Sequence, residues 1–581
     1  MDMKPKTGIG YQSYAEMMEK NIFYIDKTLF LRDWWEYADK VTLITRPRRF
    51  GKTLNMSTVE CFFSNKYANR EDLFEGKAIW EEKSTEGNYA YRKLQGKYPV
   101  IFMSFADVKP TGSAGMAELE EMKTIVKQII ANEYKKYKEI MISDLFNDDD
   151  RAHFASVNRN MDDLTASMSI MMLCSYLEKY YGRKAIILLD EYDTPMQEAW
   201  LHGCWEQAVN FFKSFFGITF KNIDGFDRAI ITGITRISRE SIFSDLNHLE
   251  TVTTTSNKYA AYFGFTEDEV FQALDQAGMG DQKQGVKQWY DGFTFGERPD
   301  IYNPWSITSF IAKAGKYDTY WTNTSSNALV SALMKTGSAT MKQIVENLIA
   351  GKSFCTPIDE QIVFSQIEKN ENAVWSLLLA SGYLKVLKTD PFTADRTEEP
   401  HYTLALTNLE VVLMFKKMIR EWFEIETSGS TYNNFVKALL LDDVGYMNEF
   451  MNQIALKSFS QFDIAKNASG LDAPERFYHG FVLGLIVGLQ NRFTITSNRE
   501  SGFGRYDIML TPLDQEKDNA YIIEFKVHRP GQEKNLQETV ANAHDQIQKK
   551  RYEAALTASG IPPEKIRKYG FAFKGKECLI G

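Results

Sequence analysis

"VTLITRPRRFGKT", residues 41–53, decides how the N-terminal half is read. An unbroken apolar run leads into a basic loop, then Gly51-Lys52-Thr53, then the helix-like "LNMSTVECFF". A strand feeding a Gly-Lys-Thr turn that opens a helix is the context of a phosphate-binding P-loop. Backbone N–H groups and the helix N-terminus surround phosphate there, a lysine reaches its outer oxygens, and a hydroxyl takes Mg2+. Gly51, Lys52 and Thr53 supply those groups. Arg46 stands where the general motif has its first glycine, so a basic surface turn that happens to contain GKT remains the competing reading.

A second stretch separates the two. "AIILLDEYDTP", residues 185–195, ends an apolar strand in Asp190-Glu191. Asp190 can hold Mg2+ through water, and Glu191 can orient and deprotonate an attacking water. The alternative is a helix-capping acidic turn, because Asp193-Thr194-Pro195 is itself a good helix start. In "ITGITRISRESIF" (231–243), Thr232 ends another buried strand and can sense the outer phosphate, with Arg236 and Arg239 as candidate arginine fingers. A solvated helix start is the bland reading of the same residues. Arg46, Arg48 and Arg49 carry charge beside the loop, and at least one of them is expected to contact nucleotide.

The apolar runs 41–45, 98–105, 184–190 and 228–234 alternate with helical patterns, the signature of a parallel sheet with crossover helices. Residues 1–240 are therefore expected to form one nucleotide-binding domain. Residues 241–425 read as a helical and winged-helix-like region, opened by a capping box at Thr266 and Glu269. With no basic recognition helix in it, domain packing is preferred over DNA contact. Residues 426–581 read as αβββαβ, with strands at 492–497, 505–510, 520–527 and 568–575.

In that last part Asp507 lies on one strand, and Glu524 and Lys526 lie two apart on the next. Period two sets them on one face, opposite Ile523, Phe525 and Val527. Two carboxylates meeting across strands beside a lysine can bind Mg2+ or Mn2+ and activate water for phosphodiester cleavage. The alternative is a charged pair on the wet face of a half-buried sheet. Glu475 on the preceding helix and Gln548, four residues before Tyr552, are candidate additions, and His479 one turn after Glu475 is a ligand or packing.

Bulk properties narrow the field. The chain has 581 residues, 44% apolar and 25% charged, which fits several globular domains. A net charge of −9 argues against bulk coating of nucleic acid. From Leu471 onward 16 Lys+Arg face 14 Asp+Glu, so DNA contact is expected toward the C-terminus. Five scattered cysteines, never in a C-x-x-C pair, suggest neither disulfides nor zinc, and a cytoplasmic protein is expected. No apolar window is long enough for a signal peptide or membrane span. Homo-oligomer formation stays open.

These stretches, with "FYIDKT" (23–28), "WYDGFTFG" (289–296), "IYNPWSI" (301–307) and "SNRESGFGRYDIML" (497–510), run in order over nearly the whole chain. Together they resemble the bacterial and archaeal AAA-ATPase-like proteins that carry a C-terminal PD-(D/E)xK nuclease-superfamily domain. In that family R-P-R-R-F-G-K-T is itself the P-loop. The resemblance implies ATP binding at Lys52 and Thr53, metal binding at Asp507 and Glu524 with Lys526, and a restriction-endonuclease-like C-terminal fold. It also implies a setting in mobile-element biology or defence against foreign DNA. An ATPase coupled to a DNA nuclease is the leading expectation. A nucleotide-driven switch or scaffold, whose nuclease-like fold binds without cutting, is the alternative.

Overall fold

Five strands carry the N-terminal half: β1 (Val41–Thr45), β2 (Val100–Ser104), β3 (Ile186–Asp190), β4 (Arg228–Gly233) and β5 (Leu249–Val252). They form one parallel sheet in the order β2-β3-β4-β1-β5. The structure is a computed structural model that describes residues 6–581 apart from 84–86, 111–115, 238–241, 244–245, 323–338, 350, 361–369, 391–399, 425–430, 459–472, 491, 498–499, 502–503, 506 and 576; a few flanking side chains, 473–477 among them, are also outside it.

β1 and β3 are buried along their whole length, as strands covered on both faces must be. Trp34, Phe62, Phe63 and Phe74 pack with Ile44, Ile186, Leu188 and Ile230. Helix Trp205–Lys221 buries Phe212, Phe215 and Phe216, whose rings meet Phe105 just after β2. Each such ring contributes about 1.5–3 kcal/mol by leaving water. β5 was not expected. Only Leu249 and Val252 of "LETV" are buried, so it lacks the apolar run that marks the other strands, and it extends the sheet past residue 240.

Strand order positions the site. β4 lies between β1 and β3, with Ile44 opposite Thr232 and Leu189 opposite Ile231. The loops after β1, β3 and β4 therefore emerge side by side at the carboxyl ends, where open α/β sheets bind ligands. Helix α1 (Lys52–Phe63) starts directly after Gly51, and α2 (Thr194–Leu201) follows the turn after β3.

The middle is largely helical. Thr266 and Glu269 form the expected reciprocal cap of helix Glu267–Ala277. Strands Leu384–Asp390 and His401–Leu406 pair antiparallel, with helix Glu371–Ala380 before them and helix Leu409–Glu424 after. The chain divides into two units: Met1–Val330 with Cys355–Val411, and Ser331–Phe354 with Val412–Gly581. The residues read as a middle region are thus shared between both.

In the second unit the expected order appears as α3 (Ala473–Ile486), β6 (Phe493–Ser497), β7 (Ile508–Pro512), β8 (Ala520–Val527), α4 (Leu536–Lys550) and β9 (Ile566–Lys574). A further strand, β10 (Glu577–Ile580), ends the chain. The sheet runs β6-β7-β8-β9-β10 and is mixed, since only β8 and β9 are parallel. Ile523 and Phe525 pack with Tyr478, Phe481 and Val482 of α3. Ile522 packs with Ile547 and Tyr552 on the other face. β8 is therefore covered on both sides, and the wet-face reading of Glu524 does not hold.

Candidate functional site

Three strand ends build the first site. Gly51 adopts φ +80°, a conformation that favours glycine, and α1 begins with Lys52. Lys52 is buried; its Nζ donates to Arg46 O (3.0 Å) and Pro47 O (3.1 Å) and lies 3.5 Å from Glu191 Oε1. Asp190 is 1% exposed and receives a hydroxyl on each oxygen: Thr53 Oγ1 on Oδ2 at 2.7 Å, and Thr232 Oγ1 on Oδ1. Burial pushes the Asp190 carboxyl up, Glu191 adds to this, and the two hydroxyls and Lys52 pull the other way. Glu191 (φ +53°) and Arg49 (φ +66°) both adopt left-handed backbone. That costs a non-glycine residue about 1–2 kcal/mol, and such strain collects at functional sites.

The structure corrects the reading of Arg46. Its side chain is fully buried, donates to Thr45 O (3.0 Å), Thr253 O and Lys258 O (3.4 Å), and stacks 4.4 Å from the centre of the Phe295 ring. Those bonds hold the guanidinium among backbone carbonyls rather than toward a phosphate. Burial pulls it down to about 9, with Glu360 opposing. The other loop residues are gripped in turn. Phe50 packs edge-on against Phe293 at 4.7 Å, and Arg48 O accepts from Trp321 Nε1 (3.0 Å) and Asn303 Nδ2 (3.3 Å). Arg49, exposed, lies over the Trp305 ring at 4.5 Å. The sequence stretches "WYDGFTFG" and "IYNPWSI" thus serve to hold the loop. Replacing Arg46 by Ala is expected to cost about 3 kcal/mol, because carbonyls lose a donor and a cavity opens. ATP affinity should stay unchanged; urea denaturation and a nucleotide titration check the two halves.

Arg236 lines a small cavity with Thr45, Thr253, Thr254 and Glu360. Arg239 lies outside the described residues.

A carboxylate cluster in the middle had no signal in the sequence. Glu267, Asp291 and Asp300 bring oxygens within 4.8 Å of one another. Lys287 pairs with Glu267 and lies 3.5 Å from Asp300 and 3.8 Å from Asp291, and the Tyr302 hydroxyl donates to Glu267 (3.1 Å). Lysine already meets the charge there. Burial, and then the neighbouring Asp300, push the Asp291 carboxyl up to about 7, with Lys287 opposing; Lys385 faces the same pair. The folded acid holds its proton to a higher pH than the unfolded one, so folding takes up a proton and stability rises as pH falls from about 7 to about 4. Asp291→Asn is expected to flatten that slope, read from denaturation midpoints at both ends of the window.

The second site lies on β7 and β8. The register that pairs Ile508 with Ile523 brings Asp507, just before β7, opposite Glu524. Asp507 Oδ2 accepts from Phe525 N at 2.8 Å, and its backbone oxygen lies 3.1 Å from His479 Nε2. His479 also packs edge-on against Phe525. Burial pushes the Asp507 carboxyl up, while the Phe525 N–H, His479 and Lys526 pull it down. Glu524 is 1% exposed, with Lys526 Nζ 3.3 Å from its Oε1. The structure therefore brings Asp507, Glu524 and Lys526 together.

Gln548 does not join them. It is exposed, and Gln546 instead donates to Glu524 Oε1 and to the Tyr552 hydroxyl (3.0 Å). The helix ends at Lys550 and Arg551 turns left-handed (φ +50°), so a four-residue spacing to Tyr552 no longer measures one helical face. Burial pushes the Tyr552 phenol up, and Glu524 and Asp507 push the same way. Glu475 belongs to α3, but its side chain lies outside the described residues.

Comparison with known proteins finds two matching stretches, one at each end of the chain. Residues 8–243 match the family described as "Predicted AAA-ATPase", and residues 473–581 match the PD-(D/E)XK nuclease superfamily. An uncharacterized protein in the vnfD 5' region of Azotobacter chroococcum mcd 1 is 24% identical over 418 residues, covering 70% of this chain and 68% of that protein. Among the described residues no helix is long and apolar enough to cross a membrane. The chain thus carries an N-terminal region that matches the AAA-ATPase-like family and a C-terminal region that matches the PD-(D/E)XK nuclease superfamily.

Proposed function

We propose that this protein hydrolyses ATP at its N-terminal sheet and uses nucleotide state to control Mg2+- or Mn2+-dependent cleavage of DNA by its C-terminal domain. What carries the reading is the presence in one chain of two constellations, Lys52-Thr53-Asp190-Glu191 at strand ends and Asp507-Glu524-Lys526 on a buried sheet.

The donor set of the first fits a nucleotide with Mg2+. A lysine and a hydroxyl open a helix whose first N–H groups have no intrahelical partner, and Thr53 already shares a hydrogen bond with the Asp190 carboxylate. Lys52 would bind the outer phosphates, and Thr53 and Asp190 would hold the ion. Glu191 would orient a water and accept its proton, Thr232 would steady Asp190, and Arg236 and the exposed Arg49 would face the phosphates. Mg2+, when bound, neutralises phosphate charge as the transition state spreads it.

The second set fits a divalent ion through its hard oxygen donors. Asp507 and Glu524 would hold it, Lys526 would meet charge developing on the scissile phosphate, and Gln546 and Tyr552 would keep Glu524 oriented. A bound divalent ion lowers the pKa of its water. Five free cysteines are in keeping with a cytoplasmic setting. The test is incubation of linear and supercoiled DNA with Mg2+ or Mn2+, with and without ATP. Cleavage that needs the metal and changes with ATP is expected; no cleavage in any condition, or equal cleavage by Asp507→Ala and Lys526→Ala, would sink the reading.

A further inference from the structure

Tyr192 and Asp193 have no part in the roles assigned above, yet both are fully buried. Asp193 occupies the N-cap position of α2 without capping it: its side chain accepts no capping hydrogen bond from the backbone of the helix start. Its Oδ2 instead accepts from Ile234 N (3.1 Å), Thr235 N (2.8 Å) and Thr235 Oγ1 (2.7 Å), and from the Gln197 side-chain Nε2 of α2 (2.9 Å). The Tyr192 hydroxyl donates to Thr235 O (2.9 Å) and accepts from Ile237 N (3.0 Å), and Tyr192 N donates to Thr232 O (3.0 Å). Gly233 sits against the pair so closely that a Cβ there would lie 2.6 Å from Asp193 Oδ1 and 2.7 Å from the Tyr192 ring. Gly233 O in turn accepts from Arg46 N at the start of the P-loop (3.1 Å).

We infer that Tyr192 and Asp193 are positioning residues for ATP hydrolysis, a clamp that fixes the 232–237 loop against the Asp190-Glu191 turn. The inference rests on the ATPase reading given above. A buried carboxylate aimed across a strand gap at two backbone N–H groups is an expensive arrangement unless the groups it ties must keep register. The tied loop carries Thr232, whose hydroxyl holds Asp190, and Arg236, one residue past the clamped Thr235. The clamp acts through those two side chains and does not itself reach the nucleotide, so it should govern turnover more than binding.

The test uses the full chain and its Tyr192→Phe and Asp193→Asn variants. Hydrogen exchange of the 230–237 peptide is measured without added nucleotide, ATP affinity by calorimetry, and ATP turnover in Mg2+. The clamp predicts exchange faster by at least about tenfold, ATP affinity unchanged, and kcat lower by about ten- to a hundredfold. Wild-type turnover retained by both variants overturns the inference alone. Equal loss of ATP binding and turnover in Tyr192→Phe overturns it too, since that marks a merely structural role. A wild-type protein that neither binds nor hydrolyses ATP overturns the ATPase reading and this inference together. If Asp193→Asn does not fold, Tyr192→Phe decides, because it keeps the ring and removes only the hydroxyl.

Discussion

Glu524→Gln is expected to abolish metal-dependent DNA cleavage, by about a thousandfold or more, equivalent to about 4 kcal/mol of transition-state stabilisation. The substitution keeps size and shape at a side chain that is 1% exposed and already hydrogen-bonded by Gln546 and Lys526. It removes the negative charge, leaving Asp507 as the one assigned carboxylate and Lys526 with a neutral neighbour. Folding should survive, because an amide still offers an oxygen to the Gln546 amide and to Lys526. Initial cleavage rates and thermal unfolding, measured on the same preparation, separate loss of chemistry from loss of structure. Cleavage that persists would mean that the sheet binds DNA without cutting it, which is the scaffold reading.

The second large effect distinguishes the two groups that meet at 3.5 Å in the nucleotide site. Lys52→Ala is expected to weaken ATP binding by about a hundredfold or more, near 2.7 kcal/mol, because it removes the buried lysine that opens α1, whose role at the phosphates Arg49 and Arg236 only supplement. Glu191→Gln should retain binding and lower kcat by about a hundred- to a thousandfold, since orientation and deprotonation of water matter only in the transition state. ATP titration and turnover measured in parallel check the contrast. Equal affinity in Lys52→Ala would assign the lysine to the carbonyls of Arg46 and Pro47 that it already holds, and make the loop a structural turn.

Physical features that repeat along the chain were legible in the sequence. β1, β3 and β4 announce themselves because strands buried on both faces read as unbroken apolar runs. The shared face of Glu524 and Lys526 follows from period two. Features set by distant partners were not. An arginine after a strand reads as solvent-exposed, because burying it uncompensated is costly; the Thr253 and Lys258 carbonyls and the Phe295 ring that compensate Arg46 come from far downstream. β5 carries too little apolar surface to stand out. Gln546 was masked by the left-handed Arg551, which breaks the helical spacing just before Tyr552. Asp193 reads as a cap by composition, and only the strand order that sets β4 beside β3 gives its carboxylate the Thr235 amide instead.

Calorimetric titration of Mn2+ into the wild-type protein and Glu524→Gln, each with and without ATP, tests the two-site account most directly. The account predicts two classes of ion site in the wild type. One appears only with ATP and persists in Glu524→Gln; the other is present without ATP and vanishes in that variant. A single class of site, or an ATP-independent site that survives Glu524→Gln, would contradict it.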